Sequence, residues 1–132
     1  MTLDKKTILI VDDSLVARQF AGAALQADYR VELTDDMWIS PLVRELRPAL
    51  VLMDVNMGVG RSGTVAVEAL NRMSIRRQIK VLFYSSRPEG ELRDLVERFG
   101  ADGYIRKGST MAQLRHQVKA ALSPPPRLAT AC

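Results

Sequence analysis

With 132 residues, 47% of them hydrophobic and 26% charged, the chain has the length and balance of one folded domain with one substantial core. No apolar run is long enough to span a bilayer, and the polar start Met1-Thr2-Leu3-Asp4-Lys5-Lys6 leads straight into a strand, so neither a membrane segment nor a signal peptide is expected. The net charge of +4 is spread over residues such as Arg18, Arg44, Arg72, Arg93 and Arg115, with aromatics at only 5%, which argues against direct nucleic-acid binding.

The first strand runs from Lys6 to Val11. Its apolar run Ile8-Leu9-Ile10-Val11 is how a strand buried on both faces reads, and it ends in Asp12-Asp13-Ser14. Ser14 reads as an N-cap, and Val16, Phe20 and Ala24 recur at helical spacing through about Ala27. Arg30 to Thr34 alternates, as a half-buried edge strand does. Ile39, Leu42, Val43 and Leu46 form the stripe of helix two. Ser40-Pro41 would be its cap and first residue, unless Asp35 or Asp36 starts it earlier, and Pro48 ends it.

Leu50-Val51-Leu52-Met53-Asp54 is strand three, four apolar residues ending in one carboxylate. A loop from Asn56 to Gly63 with three glycines follows, then helix three with Ala66, Ala69, Leu70 and Met73. The densest basic group, Arg72 to Lys80, falls in the connection to strand four, Ile79 to Tyr84, which ends in Ser85-Ser86. Pro88 opens helix four, with Leu92, Leu95, Val96 and Phe99 on one face, and Gly100 stops it. Strand five, Gly103 to Ile105, ends in Arg106-Lys107. Ser109 would cap helix five, with Met111, Leu114, Val118 and Leu122 inward. Residues 1–122 thus form the domain, and Ser123 to Cys132, with three prolines in a row, reads as an extended or disordered tail. The one cysteine, Cys132, has no partner for an internal disulfide, which fits a cytoplasmic protein.

Five strands alternating with five helices predict an α/β fold, a flavodoxin-like doubly wound parallel sheet of order 2-1-3-4-5. That order sets strands one and three side by side and brings Asp12, Asp13 and Asp54 together. Ligands bind such sheets at the C-terminal strand edge.

Three converging carboxylates repel one another, so either a proton is held at a raised pKa or a cation neutralises them. Oxygen ligands with room for water favour Mg²⁺. Lys107 supplies a point charge suited to a phosphate, and Ser85 a hydroxyl donor. Asp54 is then the natural nucleophile for a phosphoryl group. Each group alone has a plainer reading: Asp12-Asp13-Ser14 as a helix cap, Lys107 as a solvated charge, Ser85-Ser86 as a turn. Their joint placement at strand ends carries the argument.

Ile-Val-Asp-Asp-Ser at 10–14, Met-Asp-Val-Asn-Met at 53–57, Tyr-Ser-Ser at 84–86 and Gly-Tyr-Ile-Arg-Lys at 103–107 resemble the receiver domain of two-component response regulators. The resemblance covers residues 6 to 122. It implies that Asp54 accepts phosphate from a sensor histidine kinase or a phosphotransfer protein. It further implies Mg²⁺ on Asp13, Asp54 and the Asn56 carbonyl, with Asp12 acting through metal-bound water. By the same resemblance Lys107 and Ser85 hold phosphoryl oxygens, and Ser86 is the small residue that leaves room. Tyr104 is the aromatic switch, and Asn56 and Arg87 modulate self-dephosphorylation.

The sequence departs from that pattern in places. Gly58 and Gly108 stand where prolines are usual, which predicts a trans bond at 107–108, and the glycine opening helix three is displaced to Gly63. Serine at 85 replaces the commoner threonine. The reading is a single-domain, non-enzymatic switch whose output passes through a partner protein. The partner face would be helix four, strand five and helix five, charged through Arg93, Asp94, Glu97, Arg98, Arg106, Arg115 and Lys119. The rival reading is a receiver-like scaffold that binds partners without phosphorylation. A flavin carrier would want a phosphate loop without charge at Asp12-Asp13-Ser14. A haloacid-dehalogenase-type phosphatase would want its two aspartates separated by one residue.

Overall fold

A computed structural model describes residues 5–58 and 60–123. The proposed tail, beyond Ser123, lies outside the described residues. The elements are β1 (Thr7–Val11), α1 (Leu15–Leu25), β2 (Arg30–Thr34), α2 (Ser40–Leu46), β3 (Leu50–Met53), α3 (Gly63–Asn71), a 3₁₀ turn (Ser74–Gln78), β4 (Lys80–Ser85), α4 (Glu89–Phe99), β5 (Gly103–Arg106) and α5 (Met111–Leu122). The five strands are parallel in the order β2-β1-β3-β4-β5, as expected for the doubly wound fold.

The apolar strands are buried on both faces, and alternation sorts their side chains into two cores. Leu9, Val11, Val51, Met53, Val81 and Phe83 face one way, against Val43 of α2, Val67 and Leu70 of α3 and Leu92 of α4. Ile8, Ile10, Leu50, Leu52, Leu82 and Tyr84 face the other way, against Ala21, Ala24 and Leu25 of α1 and Leu114 and Val118 of α5. Each core thus needs its own layer of helices, which is why the chain winds both ways from β1.

Several local expectations are corrected. Val16 is 76% exposed rather than part of the inward stripe. The buried face of α1 is Ala21, Gly22, Ala24 and Leu25, and its small residues let the helix lie close to β2; a Cβ on Gly22 would meet the Leu33 side chain at 3.5 Å. Ser40 is not the cap of α2 but its first residue; buried Ile39 holds the cap position without a side-chain cap bond, and the helix does not begin at Asp35 or Asp36. Met73 falls past the end of α3, at the start of the 3₁₀ turn. Thr110, not Ser109, caps α5: its hydroxyl accepts the Gln113 N–H while the Gln113 side chain accepts the Thr110 N–H, a capping box. Met111 is 37% exposed as a result of standing in the first turn. Among the described residues all peptide bonds are trans, including 107–108, and Gly108 takes φ +99°, a conformation closed to proline.

Candidate functional site

The register decides what meets at the C-terminal edge. Val11 pairs with Met53, so the next residues, Asp12 and Asp54, emerge side by side. Ser85 pairs with Arg106, which delivers Lys107 beside the Ser85 loop; the Lys107 N–H donates to the Ser85 carbonyl at 2.8 Å.

Asp12 is fully buried. Its Oδ1 accepts the Ser14 N–H at 2.9 Å, so the residue closes the β1–α1 turn. Its Oδ2 stands 2.7 Å from Lys107 Nζ as an ion pair but without hydrogen-bond alignment, which leaves that oxygen free of any directed bond. Asp54 is 6% exposed, with Oδ1 3.6 Å from Lys107 Nζ and accepting the Asn56 N–H at 3.3 Å. Burial, then the negative charge of Asp12, raises the Asp54 carboxyl against the pull of Lys107, pushing it up to about 6. Lys107 also lies 5.5 Å from the centroid of the Tyr84 ring, which fixes its stem over an apolar surface. Burial and the Asp12 charge push the Tyr84 hydroxyl up to about 12.

Asp13 points elsewhere. It is exposed, and a methyl added to Gly58 would stand 3.7 Å from its Oδ2, so the carboxylate leans over the β3–α3 loop. Among the described residues no three acidic side chains form a ready cation cluster. The donor chemistry still suits a hard divalent ion: two neighbouring buried carboxylates, one oxygen without a directed bond, and a third carboxylate at the rim.

The other expected residues ring this pair. Ser85 is buried, and its Oγ accepts the Arg87 N–H at 3.1 Å. Ser86 is exposed. Arg87 spans the mouth: its Nη2 donates to Asn56 Oδ1 at 2.8 Å, tying the β4–α4 loop to the β3–α3 loop. Tyr104 is half-buried against the α4-side core, and its hydroxyl donates to Glu89 in the first turn of α4. That bond, ahead of the Arg93 charge, lowers the Glu89 carboxyl.

The model of the response regulator receiver domain matches residues 8–119. The chain belongs to this family. It is 30% identical over 119 residues to the phosphate regulon transcriptional regulatory protein PhoB of Pseudomonas aeruginosa, covering 89% of this chain and 52% of that protein. The receiver chain therefore spans about half the length of the curated relative it matches. Among solved structures, the Vibrio cholerae chemotaxis protein CheY4 is 26% identical with a TM-score of 0.81, covering 89% of this chain and 98% of that one. The BeF₃-activated N-terminal receiver domain of Klebsiella pneumoniae RstA shares the fold, at 21% identity and a TM-score of 0.77, covering 90% of this chain and all of that one (100%).

Three contacts in this receiver have no counterpart in the sequence reading. Arg18, one helical turn into α1, donates to the Asp12 carbonyl at 2.7 Å. Arg106 donates through Nε to the Arg87 carbonyl at 3.1 Å, holding the loop that carries Arg87. Glu89 holds Tyr104. The first closes the β1–α1 turn, and the other two join residues nineteen and fifteen positions apart. Gly63, seen as a displaced glycine, has a reason: a Cβ there would stand 2.0 Å from the Asp54 carbonyl oxygen. Its N–H donates to the Val55 carbonyl at 2.7 Å, so α3 starts against the backbone that carries Asp54.

Proposed function

We propose that Asp54 accepts a phosphoryl group from a histidine kinase or phosphotransfer protein, and that the modified receiver switches a protein–protein interaction. The observation that carries this reading is one ammonium, Lys107, set between two buried carboxylates of which only Asp54 opens to solvent at a loop mouth. An Asp54 oxygen attacks phosphorus in line, the bond to the donor breaks, and the donor leaves with its electron pair. Lys107 then balances phosphoryl charge, and the Ser85 hydroxyl donates to a phosphoryl oxygen once Arg87 N–H no longer holds it.

Asp13, Asp54 and the Asn56 carbonyl would hold Mg²⁺, with Asp12 beside them. The ion supplies charge neutralisation at the incoming phosphoryl oxygens. Ser86 leaves the mouth open. Tyr104 turning inward would release Glu89 and change the face formed by α4, β5 and α5, where Arg93, Asp94, Glu97, Arg98, Arg106, Arg115 and Lys119 are exposed. Residues 1–122 act as this one unit, and a protein target reads the face. Among the described residues no helix is long and apolar enough to cross a membrane.

Incubation with a small phosphodonor and Mg²⁺ tests the reading. Metal-dependent phosphorylation lost in Asp54→Asn supports it. A partner bound equally by wild type and Asp54→Asn, with no phosphorylation, would support the constitutive scaffold instead.

A further inference from the structure

The positive charge that reads as scattered along the sequence is gathered by the fold. Arg44 and Arg47 belong to α2 and its C-terminal cap, Arg72 caps α3, Arg77 lies in the 3₁₀ turn and Lys80 opens β4. All five are on the segments that lead into β3 and β4, away from the edge that carries Asp54. These five cations exceed the net charge of +4 of the whole chain, which leaves the rest near neutrality.

Arg44, Arg47 and Arg72 line one groove of about 870 Å³ together with the hydroxyls of Ser40 and Ser74. Arg77 and Lys80 line an adjoining groove of about 830 Å³, and the two share Met73, Ser74 and Gln78. Among the described residues none of the five cations has a carboxylate in ion-pair range. Their neighbour Arg76 is the opposite case. It donates to Asn71 Oδ1, the Ile79 and Gly100 carbonyls and Asp102, all within 3.0 Å, and so rivets the ridge between the grooves. Arg76 thus ties the ridge in place, while the remaining cations are exposed.

Arg47 adds a separate observation. It is the one non-glycine with positive φ among the described residues, at φ 47° and ψ 58°. Glycine fits that helix end without a side-chain penalty, so an arginine there carries a local conformational cost.

We propose that this pair of grooves binds a nucleoside polyphosphate. Three guanidiniums without carboxylate partners line one concavity, and each can bond a phosphate by two N–H groups, which suits a chain of linked phosphates. The volume is that of a small-molecule site, and the half-buried Met73 and Ile75 offer apolar surface to a base. Duplex nucleic acid fits less well, because its reading needs an element that projects into a groove, and here the cations line hollows.

Titration of the full chain with ATP in metal-free buffer, followed by calorimetry and amide NMR, tests this. Without a cation the acidic pocket repels phosphate and takes no part. Saturable binding with shifts centred on residues 40–47 and 72–80, weakened at least tenfold in Arg44→Ala/Arg72→Ala, supports the site. Arg47→Gly separates binding from folding: the fold should be as stable or more so, while ATP binding falls. No saturable binding, binding unchanged in these variants, or inorganic tripolyphosphate, an acidic peptide or duplex DNA binding as tightly as ATP would overturn it.

Discussion

Lys107 stands nearer to Asp12 than to Asp54: its Nζ is 2.7 Å from Asp12 Oδ2 and 3.6 Å from Asp54 Oδ1. The buried, solvent-free carboxylate takes the ammonium, and the residue at the mouth is left incompletely balanced. The raised Asp54 carboxyl follows from that division, since burial and Asp12 oppose its charge more than Lys107 supports it.

Asp54 therefore makes stability depend on pH. Its folded carboxyl titrates at about 6 against an ordinary 3.8, so the folded state holds the proton to higher pH than the unfolded state. Below pH about 4 both states are protonated and there is no effect; stability falls as pH rises from about 4 to about 6, and the whole cost is present above that. Asp54→Asn should be more stable than wild type at pH 7 by up to roughly 3 kcal/mol, with the difference vanishing below pH about 4. Denaturant unfolding of both proteins across pH, without divalent cations, measures it; a constant difference would mean that Asp54 is not strained by its charge.

Lys107→Ala should act in the opposite sense. Removing the ammonium leaves the fully buried Asp12 without its partner, at a cost of roughly 3–5 kcal/mol if the charge stays. It should also raise the Asp54 carboxyl further and abolish phosphorylation. Carboxyl titration by ¹³C NMR and the unfolding midpoint read the two effects separately.

The Gly63 contact predicts a purely steric lesion. Alanine there would place Cβ 2.0 Å from the Asp54 carbonyl oxygen and 2.9 Å from Met53 Cγ. Relief requires α3 to back away from the strand end. Gly63→Ala should lose roughly 1–3 kcal/mol or more and should slow phosphorylation of Asp54, although it deletes no polar group. Thermal unfolding with no change from wild type would show that α3 docks more loosely than this packing requires.

The strands and the acidic edge were legible because they rest on short-range pattern. Ile8 to Val11 and Leu50 to Met53 have no polar face, and only a sheet covered on both sides hides such runs. Where two residue types fit one position, the sequence left the outcome open. Ser109 reads as the cap of α5, but the capping-box spacing Thr110-Met111-Ala112-Gln113 puts the cap one residue later. Val16 fitted the helical stripe of α1, but tight packing on Leu33 selects the small residues one position over. Long-range contacts were not legible at all. Arg106 to Arg87 and Tyr104 to Glu89 depend on which loops the strand order brings together.

The Arg87–Asn56 bridge bears on how long the modified state lasts. The guanidinium is not free; it donates to Asn56 Oδ1 at 2.8 Å, two residues beyond Asp54. If Asp54 is phosphorylated as proposed, an arginine tied there would shield the phosphoryl group from in-line attack by water, and it would restrain the Asn56 amide. Arg87→Ala should lose its phosphoryl group several-fold faster than wild type, and Asn56→Ala should change the rate as well. Slower loss in Arg87→Ala would mean that the arginine assists hydrolysis.

The Tyr104–Glu89 bond bears on the resting state of the proposed switch. Glu89→Ala removes the acceptor of the Tyr104 hydroxyl, so a second ring position should gain population without phosphorylation if Tyr104 is the switch proposed above. Fluorine NMR on labelled tyrosine reads the populations, and an unchanged spectrum would assign the resting position to packing alone.

The most direct measurement is intact-mass analysis of wild type and Asp54→Asn after exposure to a small phosphodonor with and without Mg²⁺. The account predicts a mass increase of one phosphoryl group in wild type with Mg²⁺ present, mapped to Asp54, and none in Asp54→Asn or when the metal is chelated. No mass increase in wild type, or an equal increase in Asp54→Asn, would contradict it.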